Sequence, residues 1–255
     1  MSEKYIETFK RVEDKYALTR AQMNEFLEKI KPYVTEDIYY KYTVNSIYYD
    51  NQNSELAIHS LMKPEYKMKL RLRCYGEPSE DKPVFLETKK KYEDIVYKRR
   101  IELGMQEAFD YLDYGIPHSV HNNTADEIDY ILNYYNLEAK AYIAYDRECY
   151  AAIDEMDVRI TFDTNIRYRI NDIDLYEHGD EKHLAEDKVM LEIKAMKRYP
   201  LWLVRILSEM KIYKTSFSKY GTIYADNYET LSPKVMLKYN TVKEVKENLV
   251  CSTQY

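Results

Sequence analysis

The stretch Tyr66-Lys-Met-Lys-Leu-Arg-Leu-Arg-Cys-Tyr75 alternates strictly between apolar and cationic side chains. Successive side chains of a strand point to opposite faces, so Met68, Leu70 and Leu72 share one face and Lys67, Lys69, Arg71 and Arg73 the other. A helix would scatter these seven around its circumference, so the segment is a strand with one buried and one strongly basic face.

The same parity recurs outward from this segment. Val84–Lys91 sets Glu87, Lys89 and Lys91 against Val84, Leu86 and Thr88. Val96–Leu103 sets Lys98, Arg100 and Glu102 against Tyr97, Ile101 and Leu103, and Lys188–Met196 sets Glu192 and Lys194 against Val189, Leu191 and Ile193. Val158–Ile170 places Arg159, Thr161, Asp163, Arg167 and Arg169 opposite Val158, Ile160, Phe162, Ile166, Tyr168 and Ile170. Glu7–Leu18 adds Arg11, Glu13 and Lys15, and Thr43–Tyr49 and Ala139–Ala152 complete eight expected strands. Helical periodicity predicts Thr19–Ile30 with Thr19 as N-cap, then Ser54–Met62, Gln106–Tyr114, Asp126–Tyr135, Leu201–Met210 and Ser218–Tyr228. Strands joined mostly by short connections, with interspersed helices, read as an α+β fold built on an antiparallel meander or barrel. Residues 77–82, 117–124 and 171–187 read as loops inside one domain spanning 1–230, followed by a polar tail over 231–255.

Composition excludes several classes. The 255 residues include only 5 glycines, no two closer than 11 positions. Walker, dinucleotide-binding and kinase-type loops all need clustered glycines for close backbone approach to phosphate, so any phosphate here must be held by side chains. A net charge of −6 argues against a general nucleic-acid coat. Cys74, Cys149 and Cys251 are widely spaced and form no C-x-x-C, which suits a reduced, cytoplasmic protein. Neither a signal peptide nor a transmembrane run is present, and docking on a membrane-protein partner stays open. The five histidines lack zinc-like spacing to Cys or acidic ligands, and most of the 29 tyrosines read as packing, with Tyr48 or Tyr49 available to help place a nucleotide.

An amphipathic sheet with a solvated polar face would explain simple alternation. Here that face is mostly Lys and Arg, and like charges on neighbouring strands repel unless an anion sits among them. A polyanion such as a triphosphate or polyphosphate chain fits such a face, with Arg binding phosphate bidentately and Lys acting as a movable point charge. Glu13, Glu87 and Glu192 share the basic parity, each two residues from a Lys. They read either as charge-neutralising partners or as ligands that hold Mg²⁺ or Mn²⁺ against phosphate oxygens, with Glu192 the best single candidate.

Nine motifs in order now carry a resemblance. They are Arg11-Val-Glu-Asp-Lys-Tyr16, Ser46-Ile-Tyr-Tyr-Asp-Asn51, Lys69-Leu-Arg-Leu-Arg73, Leu86-Glu-Thr-Lys89, Lys98-Arg-Arg100, Tyr145-Asp-Arg147, Arg159-Ile-Thr-Phe-Asp163, Leu191-Glu-Ile-Lys194 and Phe217-Ser-Lys-Tyr220. Together the chain resembles the triphosphate tunnel metalloenzyme superfamily, and most its vacuolar transporter chaperone (VTC) branch, over about residues 7–224. The resemblance implies an eight-stranded antiparallel closed barrel with helices packed outside and a basic central tunnel. It implies polymerisation of polyphosphate from the terminal phosphate of ATP with a divalent metal, preferably manganese. Carried over by position, Lys15, Arg71, Arg73, Lys89, Lys98, Arg147, Arg159 and Lys219 are the implied phosphate ligands, Glu192 holds the metal and Lys194 lines the same strand. Arg100 joins them from alternation alone, and Lys69, Arg71, Arg73, Lys89 and Arg147 are the candidates to hold ATP.

Two positions depart from the pattern. Arg11 stands where the broader superfamily opens with Glu, which moves the chain toward the polymerase branch. Ser216 stands where a second Lys is expected before Lys219, with Lys214 a nearby substitute. The chain resembles a free-standing bacterial form without the sensing domain and membrane segments of the fungal proteins. The expected activity is polyphosphate polymerase, with ATP, polyphosphate, pyrophosphate or triphosphate as partners. A metal-dependent triphosphatase or nucleoside triphosphatase, and a non-catalytic polyphosphate-binding domain, are the alternatives on the same lining.

Overall fold

The computed structural model describes residues 11–62, 65–93, 95–153, 158–196 and 198–231. Residues 7–10 of the expected first strand and 232–255 of the expected tail lie outside the described residues. In chain order the elements are β1 (Arg11–Thr19), α1 (Arg20–Ile30), β2 (Val34–Asp50), α2 (Glu55–Met62), β3 (Tyr66–Tyr75), β4 (Val84–Tyr92) and β5 (Ile95–Leu103). They continue with α3 (Met105–Tyr114), α4 (Asn123–Tyr135), β6 (Glu138–Ala152), β7 (Arg159–Arg169), β8 (Lys182–His183), β9 (Lys188–Met196), α5 (Leu201–Glu209), α6 (Lys219–Asp226) and α7 (Tyr228–Leu231).

The strands form one sheet in the order β1-β9-β7-β6-β2-β3-β4-β5, with β8 on β7. The described ladders are antiparallel. The hydrogen-bonded order starts at β1 and ends at β5, and among the described residues no ladder closes it into the expected barrel. The fold is a mixed α+β arrangement of a large antiparallel sheet and seven described helices. By chain contacts it divides into two compact units, each assembled from three separate segments.

The first unit takes residues 1–41, 147–164 and 187–216. Here β1 pairs with β9 and β9 with β7. Alternation sends Tyr16 and Leu18, Leu191 and Ile193, and Ile160 and Phe162 into a core closed by Met23, Phe26 and Ile30 of α1 and Leu203, Ile206 and Leu207 of α5. Helix α1 starts where the sequence places it, because Thr19 accepts the Gln22 backbone N–H at 3.1 Å while the Gln22 side chain accepts that of Thr19 at 2.9 Å.

The second unit takes residues 42–146, 165–186 and 217–255. Its core lies on one face of β2, β3, β4 and β5, where Ile47, Leu70, Leu72, Leu86 and Ile101 pack under Ala108 of α3 and Ile128 of α4. The opposite face of those strands carries the cations.

Strand β2 is the largest departure from expectation, running from Val34 rather than Thr43. Its first half shows no two-residue burial rhythm, and Ile38 is 93% exposed. Periodicity reports burial, so a strand that buries little escapes it. The expected loop over 171–187 is also more ordered than its composition suggests. It contains β8 and wraps two nearly buried arginines of β7. Arg169 donates to the Asp172 carbonyl at 3.2 Å, the Tyr176 carbonyl at 2.9 Å and Asp174 Oδ1 at 2.9 Å, and also to Glu181. Arg167 donates to Glu177 at 2.8 Å and to the Asn165 carbonyl at 3.0 Å. Charged groups thus add to the apolar anchor of this strap, in which Leu175 is buried in the core and Ile173 packs against it.

Removing one partner of a buried ion pair leaves the other uncompensated. Arg169→Ala is therefore expected to lower stability by about 3 kcal/mol and to expose residues 171–186 to limited proteolysis. An unchanged denaturation midpoint and cleavage pattern would refute the anchoring role of Arg169.

Candidate phosphate site

Strand register decides which cations of the second unit are neighbours. Arg71 of β3 stands opposite Glu87 of β4, which stands opposite Arg100 of β5. The next row on the same face is Lys69, Lys89 and Lys98, and one step further Lys67 faces Lys91. Tyr48 and Ser46 of β2 extend the face opposite Arg71 and Arg73. The expected residues Lys69, Arg71, Arg73, Lys89, Lys98 and Arg100 therefore lie on one sheet face.

Glu87 organises this face. Its side chain is 1% exposed, and Oε2 accepts from Arg71 Nε at 2.9 Å and Nη2 at 2.8 Å. Arg73 Nη1 lies 3.8 Å from the same oxygen, while Lys98 Nζ at 2.8 Å and Arg100 Nη1 at 3.9 Å approach Oε1. Burial pushes the carboxyl up, but Arg71, Arg73 and Lys98 outweigh it and hold the group at about 2. The four surrounding cations repel a divalent ion and offset the attraction of this carboxylate for it. Of the two readings the sequence offers for Glu87, this field favours the charge-neutralising partner that orients arginines over the metal ligand.

Further side chains fix the cations. Arg73 donates to Ser46 Oγ at 3.2 Å and to the Tyr145 hydroxyl at 3.3 Å. The Arg100 guanidinium lies 4.4 Å from the Phe85 ring centroid, and Lys219 Nζ lies 4.1 Å from that of Tyr145. Lys219 opens α6, whose N-cap Ser218 accepts the Gly221 N–H at 3.1 Å and the Lys69 ammonium at 2.8 Å. A Cβ on Gly221 would stand 3.0 Å from Leu61 Cδ2 and 3.1 Å from Ser218 Oγ, so glycine lets α6 pack closely against Leu61 of α2. Arg71, Arg73, Lys69 and Lys219 thus meet a polar and aromatic lining of Ser46, Tyr48, Tyr145 and Ser218 that sequence parity leaves unassigned. Each of the four stands within a quoted motif, which was the available signal.

The first unit gathers the other expected residues. Register sets Lys15 opposite Glu192 and Glu192 opposite Thr161, with Glu13 opposite Lys194 and Lys194 opposite Arg159 in the adjacent row. Glu192 lies 3.9 Å from Lys15 Nζ and is hydrogen-bonded by Lys194. Burial raises its pKa, but Lys194 and Lys15 overcome that and hold it far below the usual carboxylate range. Arg147 grips the buried Asp163 bidentately at 2.6 and 2.8 Å, and Arg159 pairs with Asp37 at 2.8 Å. Lys214 does not substitute for the Lys missing at Ser216 on this face. It pairs at 2.7 Å with Asp14, whose parity is opposite to that of Lys15.

Among the described residues no three His, Cys, Asp or Glu side chains converge as a metal cage. Mg²⁺ and similar ions that ride on phosphates need only one or two protein carboxylates. Glu192, with Glu13 diagonal to it across the β1–β9 ladder, meets that requirement. No described helix is long and apolar enough to cross a membrane.

Comparisons with known proteins bear on the fold and the family. A candidate adenylate cyclase from Bacillus halodurans has a similar fold, at 13% identity, with 82% of this chain and 95% of that chain covered and a TM-score of 0.51. The candidate adenylyl cyclase HpAC1 from Hippeastrum, reported with a dominant triphosphatase activity, is similar at 12% identity over 85% of this chain and 96% of that chain, with a TM-score of 0.50. No curated protein sequence matches significantly. At such identities the two structures speak for the fold alone. The VTC domain profile, however, matches residues 10–228, and the chain belongs to the VTC domain family.

Proposed function

We propose that this protein is a polyphosphate polymerase that transfers the terminal phosphate of ATP to a growing chain. The observation that carries the reading is the row Lys69–Lys89–Lys98 beside Arg71–Glu87–Arg100, five cations and one carboxylate on a single sheet face. Directly opposed like charges cost free energy in a sheet, and a bound polyanion removes that cost. The closed, tunnel-forming barrel implied by the family resemblance belongs to this proposal.

In the reaction the bond from the γ-phosphorus to its bridging oxygen breaks, ADP leaves, and an oxygen at the chain end forms the new bond. That acceptor oxygen is already ionised, so the transfer needs no general base. The work left to the protein is positioning and charge neutralisation. Arg71 and Arg73, held in plane by Glu87, Ser46 and Tyr145, are preset donors for phosphate oxygens. Lys69, Lys89 and Lys98 supply mobile charge to the next phosphates, and Lys219 adds a cation at the start of α6. In the first unit Lys15, Lys194, Arg147 and Arg159 are assigned to phosphate and Glu192, with Glu13, to Mn²⁺ or Mg²⁺. When bound there, such an ion would supply positive charge that neutralises the phosphate oxygens.

A second reading is hydrolysis of triphosphate or nucleoside triphosphate, with water as acceptor. It draws support from the triphosphatase activity reported for the Hippeastrum protein of similar fold. Phosphorus NMR of the protein with ATP and Mn²⁺ separates the two. Polymerisation yields internal-phosphate resonances that grow with time, and orthophosphate alone leaves hydrolysis. Tight polyphosphate binding with neither product would leave a binding domain.

Lys89 stands between two lysines in register, and Lys89→Met removes a phosphate contact from the row. Tripolyphosphate affinity should fall by about tenfold, equivalent to one charge-assisted hydrogen bond. Undiminished affinity would remove the lysine row from the site. Glu192→Gln is expected to abolish metal-dependent turnover and to leave metal-free tripolyphosphate binding intact or tighter, because a negative charge is gone. Full turnover in this variant would exclude Glu192 as the metal ligand.

A further inference from the structure

Tyr48 lies within the second unit's cationic face, in register opposite Arg71, and is 6% exposed. Its ring stacks on Tyr220 of α6, with centroids 5.1 Å apart and planes 17° from parallel. Its hydroxyl oxygen accepts from Arg71 Nη1 at 3.1 Å, while the other side of that guanidinium is committed to Glu87. From β3, Lys69, Arg71 and Arg73 all act on the phenol. From β4, Glu87 sits beyond the Arg71 guanidinium. From α6, Tyr220 presents its ring and sends its own hydroxyl to Asp50 at 3.1 Å, and Asp50 also accepts the backbone N–H groups of Leu56 and Ala57. From β6, Tyr145 meets Arg73 and lies under Lys219. The charges turned toward the Tyr48 oxygen are therefore positive, and both nearby carboxylates are engaged by other groups.

Burial alone would push this phenol up, as it does for the adjacent Tyr49 beside Asp113. For Tyr48 the charges of Arg71, Arg73 and Lys69 win over burial and bring it to about 7. Two consecutive residues on opposite faces of one strand thus move in opposite directions, because burial, reinforced by Asp113, prevails at Tyr49 and the cations prevail over burial at Tyr48.

Resting on the phosphate-site reading above, we propose that Tyr48 is a proton switch in that site. Without phosphate its phenolate serves Arg71 and Lys69 as an internal anion. A bound phosphate supplies that negative charge instead, and the phenolate takes one proton from solvent to become the hydroxyl. No other bond changes. Phosphate and phenolate therefore compete for the same positive field. Affinity for phosphate falls as pH rises above about 7, by up to about tenfold per pH unit, until the phenol of the bound state also ionises nearer its ordinary range of about 10. Below that window the hydroxyl is protonated in both states and no coupling remains.

The near-ultraviolet absorbance of tyrosinate reads the switch directly. In the free wild-type protein one tyrosine should ionise near neutrality that is missing from Tyr48→Phe, a variant that keeps the ring and its stacking. Arg73 also pulls Tyr75 downward against its burial, and that contribution is common to both proteins. At about pH 8.5, midway between the two ionisations, tripolyphosphate should remove one tyrosinate equivalent of absorbance from wild type and none from Tyr48→Phe. Between pH 7 and pH 9 the wild-type affinity should weaken by about tenfold or more beyond that of the variant, the titration of the ligand itself cancelling in the comparison. Tripolyphosphate binding without the absorbance change, or with an equal change in Tyr48→Phe, would overturn the switch and leave the phosphate site standing. Absence of tripolyphosphate binding by wild type would overturn both. If the variant fails to fold, calorimetry of wild type in two buffers of different ionisation enthalpy decides, and no proton uptake beyond that of the ligand itself overturns the switch.

Discussion

One buried carboxylate sets the character of the second unit. Glu87 is nearly inaccessible to solvent, yet stays ionised because Arg71, Arg73, Lys98 and Arg100 surround it. Without it, Arg71 of β3 and Arg100 of β5 would flank β4 with no counter-charge between them, an arrangement that like-charge repulsion disfavours. With it, Arg71 is fixed by two hydrogen bonds in the plane of its guanidinium. A phosphate then meets donors that are already oriented, and little side-chain entropy is lost on binding.

The neighbouring row has a different logic. Lys69, Lys89 and Lys98 stand side by side in register, while Lys69 donates to Ser218 and Lys98 reaches across to Glu87. The second row is thus cationic on all three strands, in keeping with the polyanion proposed for this face. The first unit repeats the combination with Glu192 between Lys15 and Lys194, where the ionised carboxylate is the group suited to a cation that travels with phosphate. Buried tyrosines carry the argument further, since their hydroxyls either orient arginines, as Tyr145 does, or exchange a proton with the field, as assigned to Tyr48.

Much of this was legible in the residue order. Strand parity in Tyr66–Tyr75, Val84–Lys91 and Val96–Leu103 separated core from cation, and the core residues Leu70, Leu72, Leu86 and Ile101 lie where parity assigned them. Thr19 declared the start of α1 through its capping box with Gln22. Other features escaped because their signal is not periodic. The first half of β2 buries too little to alternate, and the 171–187 strap is held by Arg167 and Arg169, whose acidic partners are scattered along a polar loop. Lys214 lay close in sequence to the position it was expected to fill, but its ammonium reaches Asp14 on the other side of β1.

The sequence by itself determined the faces, because the two-residue repeat of a strand is a property of the backbone and needs no knowledge of its neighbours. It also narrowed the chemistry, since five dispersed glycines exclude the glycine-rich phosphate loops. Only the tertiary structure decided the partners. Which cation stands beside which carboxylate depends on register between strands, and that is set by packing of the opposite face and by the turns. Glu87 and Glu192 look alike as sequence, each a glutamate two residues before a lysine. Register encloses Glu87 with four cations and sets Glu192 between two lysines, and this difference in local field makes one an organiser of arginines and the other a candidate metal ligand.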